Sequence, residues 1–152
     1  MKKIFKNPLF IAILIPLAAG GLSALLSGGM DTSMNMPSFT PPGWLFPVVW
    51  TILYVLMGIS SYIIYQANES SSRVALIVYA LQLFFNFFWS IIFFGFSMYL
   101  FAFIWLLIMI LLIIIMIYLF KQISPVAAYL QIPYLLWCIF AAVLNYAVYV
   151  LN

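Results

Sequence analysis

Long apolar runs separated by short polar or turn-forming seams organise this chain. A hydrocarbon core of about 30 Å takes roughly 20 apolar residues in a helix, and the runs have that length. The first covers residues 8–26. Residues 27–42 follow as a loop rich in Gly, Ser, Met and Pro. The second run covers residues 44–65 and ends in the polar link QANESSSR. From Val74 the sequence stays apolar to Phe120, too long for one crossing. Gly95, Phe96 and Ser97 offer a break, which predicts spans at 74–94 and 98–120. The turn KQISP then leads to a last run at 126–150. Unbroken runs predict helices; the strands of a barrel would alternate. The expected fold is therefore all-α, an integral membrane bundle of five transmembrane helices forming one domain over residues 1–152. No room remains for a soluble domain, and no internal repeat is visible.

Composition fixes the solvent. Of 152 residues, 69% are hydrophobic and only 5% are charged, against about 25% charged in a soluble domain. The surrounding medium must be lipid, where only helices and closed barrels satisfy the backbone. A net charge of +3 is too small and too scattered to mark a nucleic-acid partner. The one cysteine, Cys138, excludes an internal disulfide. With five spans, all five basic residues (Lys2, Lys3, Lys6, Arg73 and Lys121) fall on one side, and the other holds only Asp31. The positive-inside rule then places the N-terminus in the cytoplasm and the 27–42 loop outside. A basic start, an apolar centre and the small residues Gly21 and Ser23 also fit a cleaved signal peptide. Cleavage would leave four spans, so residues 8–26 are read as the first span.

The chemistry concentrates in residues 38–54, SFTPPGWLFPVVWTILY, with three prolines, two tryptophans and two phenylalanines. Pro41, Pro42 and Pro47 fix how the chain enters the second helix. A rigid, aromatic, uncharged entrance suits a flat apolar ligand better than an ion. No Asp, Glu, Lys, Arg or His falls inside a span. A charge at a helix centre costs about 2.5–3.5 kcal/mol and is kept mainly for ion or proton work. Its absence argues against a proton-coupled transporter and a voltage sensor. The chain has no His, the commonest ligand of zinc or haem iron, so no metal site is expected. Without a Ser-His or Cys-His pair, ordinary acyl transfer is excluded.

Neutral polar and aromatic residues remain, at helical spacing. Gln82, Asn86, Trp89 and Phe93 share one face of the third span. Trp50, Tyr54, Met57 and Ser61 do so in the second. Trp137, Ala141 and Asn145 do so in the fifth, with Pro133 one turn before. Such stripes should face a common interior. Trp50, Asn86, Trp89 and Trp137 are read as pocket residues. Gln82 and Asn145 serve equally as helix-to-helix bonds or ligand contacts. Ala141 either lets helices touch or leaves room for a ligand. Trp44, Trp105, Tyr65, Tyr118 and Tyr149 are read as interfacial anchors or packing residues. Gly28, Gly29 and the Ser/Met run favour motion in the 27–42 loop, which is expected to cover the pocket as a lid.

Three segments resemble the translocator protein family (TspO/MBR), also called tryptophan-rich sensory proteins or peripheral-type benzodiazepine receptors. They are PSFTPPGWLFPVVWTILYVLMG at 37–58, LIVYALQLFFNFFWSIIFFG at 76–95 and IPYLLWCIFAAVLNYAVYVLN at 132–152. The resemblance implies a five-helix bundle, often dimeric, whose pocket is capped by the first loop. It implies binding of porphyrins, isoquinoline carboxamides and benzodiazepines, and an association with light-dependent porphyrin breakdown and stress sensing. Mapped by motif, the pocket uses Trp50, Tyr54, Asn86, Trp89, Trp137 and Ala141, with Phe39, Pro41 and Pro42 in the lid. Departures are local. Phe39 stands where the family often has Trp. Ile77 and Leu81 stand where several members have small dimer-packing residues. The basic residue of the animal cholesterol motif is missing after Val150, so cholesterol binding is not expected.

The expected function is a bacterial cell-membrane receptor or sensor for protoporphyrin-like tetrapyrroles and hydrophobic drugs. No cofactor is required, and porphyrin is a ligand. Any enzymatic activity is expected to be light- and oxygen-dependent porphyrin degradation, with Trp50 and Trp137 as photochemical residues. The alternative is a membrane carrier of tetrapyrroles or lipids, for which no coupling residue is present. A third reading is a structural partner that touches another membrane protein through span 98–120.

Overall fold

The computed structural model describes residues 7–28 and 34–152. Lys2, Lys3, Lys6, Asp31 and the 29–33 part of the expected lid lie outside the described residues. All regular structure among the described residues is helical, and five segments are long and apolar enough to cross a membrane. The helices are α1 (Pro8–Leu26), α2 (Leu45–Ala67), α3 (Ser72–Ser90), α4 (Tyr99–Ile123), α5 (Pro125–Leu130) and α6 (Ile132–Leu151). This is the all-α, five-span membrane architecture expected.

Local chemistry sets the ends. The Asn7 carboxamide oxygen accepts from Leu9 N–H at 2.9 Å, with Pro8 at the first helical position. That is a side-chain cap followed by a residue with no N–H to strand. Pro47 falls in the first turn of α2, where its missing N–H would have had no helical partner. Asn68 ends α2 in the left-handed region (φ 51°). α3 runs on into a π-helical turn, Ile91–Gly95, and Ser97 (φ 55°) turns the chain towards α4. The long apolar run is thus divided at the Gly-Phe-Ser seam.

The fifth span, Pro125–Leu151, is interrupted within: α5 and α6 meet at Gln131. Pro133 has no N–H to give the carbonyl one turn back, and Gln131 N–H bonds Ala128 O at 3.1 Å, a tighter turn.

Neighbouring helices are held by close approach and by side-chain bonds to backbone. α1 packs on α2, α3 on α4, and α4 on both α5 and α6. A Cβ at Gly58 of α2 would overlap the backbone of Ala12 and Ile13 in α1. Small residues let membrane helices approach in this way. A Cβ at Gly20 of α1 would overlap the ring of Tyr54, so this glycine seats a pocket residue. Ser23 Oγ donates to Phe87 O at 2.6 Å, tying α1 to α3. Ser60 Oγ donates to Ala127 O at 2.7 Å, tying α2 to α5. Trp105 Nε1–H donates to Phe85 O at 2.7 Å, so this tryptophan packs α4 on α3. Along α4, Ala102, Leu106, Met109, Ile113, Met116 and Phe120 are buried at alternating steps of four and three. The rest of that helix offers Ile and Leu outward. α3 and α6 are alternate spans and run parallel. Tyr134 and Asn145 of α6 reach across to Gln82, Asn86 and Trp89 of α3.

Candidate ligand-binding site

Three tryptophans from three helices meet around one cavity of about 540 Å³. That volume lies within the range of small-molecule sites. Trp50 comes from α2, Trp89 from α3 and Trp137 from α6, and each is held by aromatic neighbours. Trp50 stacks on Tyr54 (centroids 5.5 Å, planes 27° apart) and meets Tyr134 edge-on at 6.3 Å. Trp89 stacks on Phe93 (5.3 Å, 24°). Trp137 sits between Phe46 at 5.9 Å and Phe140 at 5.4 Å. The π turn that ends α3 carries Phe93 and Phe94 into the wall. Such turns often mark functional positions in helices. Leu17, Gly20 and Gly21 of α1 and Met36 and Gly43 of the first loop complete the enclosure.

The polar groups in the wall are few and neutral. Asn145 Oδ1 accepts from Trp89 Nε1–H at 3.1 Å, and its Nδ2 donates to Tyr99 O at 2.9 Å. Each end of that carboxamide keeps one further hydrogen-bonding position. The Thr51 hydroxyl donates to Pro47 O at 2.6 Å, which leaves its oxygen as an acceptor. Ser90 also lines the cavity, and none of its lining residues is charged. Among the described residues no group of three or more His, Cys, Asp or Glu is placed to hold a metal. The cavity can stack a flat molecule between aromatic faces and orient it by neutral hydrogen bonds. It offers no acid–base pair.

Trp50, Tyr54, Trp89, Trp137 and Ala141 all line this cavity. Asn86 does not. Its carboxamide lies behind Tyr54, where Oδ1 accepts from the Tyr54 hydroxyl at 2.8 Å and Nδ2 donates to the Tyr134 hydroxyl at 2.9 Å. Asn86 therefore fixes Tyr54 and would reach a ligand only through it. Phe39 is half exposed and rests edge-on against Phe140 at 6.4 Å. Phe39, Pro41 and Pro42 do not touch the cavity; the connection between α1 and α2 reaches it through Ser27, Met36 and Gly43. Phe46, Phe94, Phe140 and Met36 are wall residues that sequence reasoning did not single out. Their only signal was proximity to a tryptophan or to the proline cluster.

The model of the TspO/MBR family matches residues 12–151. The chain is similar to the tryptophan-rich protein TspO of Chlorobaculum tepidum, 35% identical over 123 residues. That match covers 80% of this chain and 78% of the relative. It is similar to the translocator protein of Sus scrofa, 35% identical over 143 residues, covering 90% and 85%. It is also similar to the tryptophan-rich sensory protein of Cereibacter sphaeroides, 36% identical over 120 residues, covering 79% and 75%.

Proposed function

Because the chain belongs to the TspO/MBR family, we propose that it is a membrane receptor for protoporphyrin-like tetrapyrroles and other flat hydrophobic ligands. The observation that carries this reading is the placement of Trp50, Trp89 and Trp137 around one uncharged cavity. Aromatic faces suit a planar macrocycle, and Asn145 supplies a neutral polar contact to orient it. The chain has no His to ligate iron, so metal-free porphyrin binds at least as readily as haem. Light then acts on the bound porphyrin with dioxygen as oxidant, and Trp50 and Trp137 are oxidisable side chains in reach, with Trp89 a third in the same wall. The first loop, through Met36 and Gly43, closes the site as a lid.

A carrier is the second reading, favoured by one observation. A groove on the outer side of α2 and α6, lined by Val49, Ile52, Leu53, Pro133 and Leu136, shares Trp137 and Phe140 with the cavity. A ligand exchanging with the bilayer would pass this thin wall.

One experiment tests both. Purified protein in vesicles is titrated with protoporphyrin in the dark while tryptophan fluorescence is followed, then illuminated in air beside acceptor vesicles. Saturable quenching, then porphyrin loss faster than in protein-free vesicles, supports the receptor. Transfer to acceptor vesicles outrunning degradation supports the carrier. Quenching that never saturates would sink both.

A further inference from the structure

A chain of hydrogen bonds leads away from the cavity wall into the bundle. The Tyr54 hydroxyl donates to Asn86 Oδ1 (2.8 Å), Asn86 Nδ2 donates to the Tyr134 hydroxyl (2.9 Å), and that hydroxyl donates to Gln82 Oε1 (2.6 Å). All three donations point the same way, an arrangement in which each bond polarises the next. The chain then stops. Gln82 Nε2 is buried without a partner, and so are the Tyr79 hydroxyl and both Nε2 and Oε1 of Gln131.

These orphans fall within about one helical turn of one another along the bundle axis. Tyr79 lies one turn before Gln82 on the same face of α3. Gln131 lies one turn before Tyr134, at the α5–α6 junction. The two spans run parallel, and Tyr134 bonds Gln82. Stepping back one turn on each therefore puts Tyr79 and Gln131 at the same depth. Gln82 and Gln131 are fully buried. Ser61 of α2 lies beside the Tyr79 hydroxyl, but its own hydroxyl donates to Gly58 O at 3.0 Å and the pair lacks hydrogen-bond geometry. Turning either carboxamide over exchanges donor for acceptor and leaves an orphan in place.

An unsatisfied polar group in the bilayer interior is strongly unfavourable, and buried polar groups are nearly always bonded. The orphans offer amide and hydroxyl donors together with Gln131 Oε1 and the Tyr79 oxygen as acceptors. A small neutral molecule that both donates and accepts matches that set, and an ion does not. We propose that Tyr79, Gln82 and Gln131 hold a buried water site that continues the Tyr54–Asn86–Tyr134–Gln82 chain. The site is independent of which ligand fills the tryptophan cavity. It anchors the far end of the bonds that orient Tyr54.

X-ray radiolytic footprinting of the full chain in lipid nanodiscs tests this, because hydroxyl radicals formed from bound water label the side chains beside it. Tyr79 and Tyr134 should be labelled despite their burial, alongside the exposed Tyr65. The signal at both should fall to background in the Gln82→Leu/Gln131→Leu double variant while Tyr65 labelling stays unchanged. Wild-type protein in which Tyr79 and Tyr134 remain unlabelled would overturn the proposal without any variant. The melting temperature gives a second reading. Gln131→Leu should lower it if the carboxamide holds water. A rise would mean that a dry, orphaned amide had been removed, and the site would be rejected.

Discussion

Trp50 and Trp137 belong to different helices and line one cavity, so a single planar ligand can touch both. Replacing each by Phe keeps an aromatic face and removes the easily oxidised indole. Either single Phe variant should still bind protoporphyrin, weakened by about 1 kcal/mol, within the usual range for an aromatic contact. That is roughly a fivefold rise in Kd. Light-driven porphyrin loss should slow far more than binding weakens. Equal bleaching by the double Phe variant and wild type, under equal light and oxygen, would remove Trp50 and Trp137 from the chemistry. Helical spacing made seven wall residues legible: Trp50, Tyr54, Trp89, Phe93, Trp137, Ala141 and Asn145. Spacing gives a face and not a depth, which is why Asn86 shares the Trp89 stripe and yet lies behind Tyr54. Phe46, Phe94, Phe140 and Met36 were hidden because 69% of the chain is hydrophobic, and one more apolar residue carries no contrast.

The first loop is held from a distance. Asn35 N–H donates to the Asn152 side chain at 3.1 Å, and Asn152 Nδ2 donates back to Asn35 O at 2.9 Å, across 117 positions. Thr40 closes a local turn onto Pro37 O. If this segment covers the cavity, porphyrin bound against Met36 should stabilise it. Amide exchange over residues 34–40 should then slow on adding protoporphyrin, and Asn152→Ala should speed it in the free protein. Identical exchange with and without ligand would show that the loop is no lid. Its Gly, Ser and Pro content marked it as a loop; its partner so far along the chain could not be read from composition. The break at Gln131 was half legible. Pro133 was visible as a breaker, but an apolar run on both sides of it read as one span.

Five apolar helices were legible because the bilayer leaves few solutions for so apolar a chain. Their order around the bundle was not. α4 is apolar on every face, so its buried stripe has no polar side to contrast with. The orientation expected in the membrane rests instead on the sequence's charge pattern, in which five-span threading puts all five basic residues on one side. Of these, Arg73 and Lys121 are exposed, at opposite ends of the hairpin that α3 and α4 make. Both therefore lie on one face, and the α1–α2 loop lies on the other. If basic residues are retained on the cytoplasmic side, that loop faces outward. Cysteine labelling can check this cleanly, because Cys138 is the one native thiol and is fully buried. Ser38→Cys, exposed in the first loop, should react with an impermeant maleimide in intact cells. Ser70→Cys, exposed in the α2–α3 link, should react only after lysis. The reverse pattern would invert the protein, and labelling of both in intact cells would mean mixed topology. Either result would show that so few charges do not fix the orientation, and would put the cavity's loop-covered end on the cytoplasmic side in some or all copies.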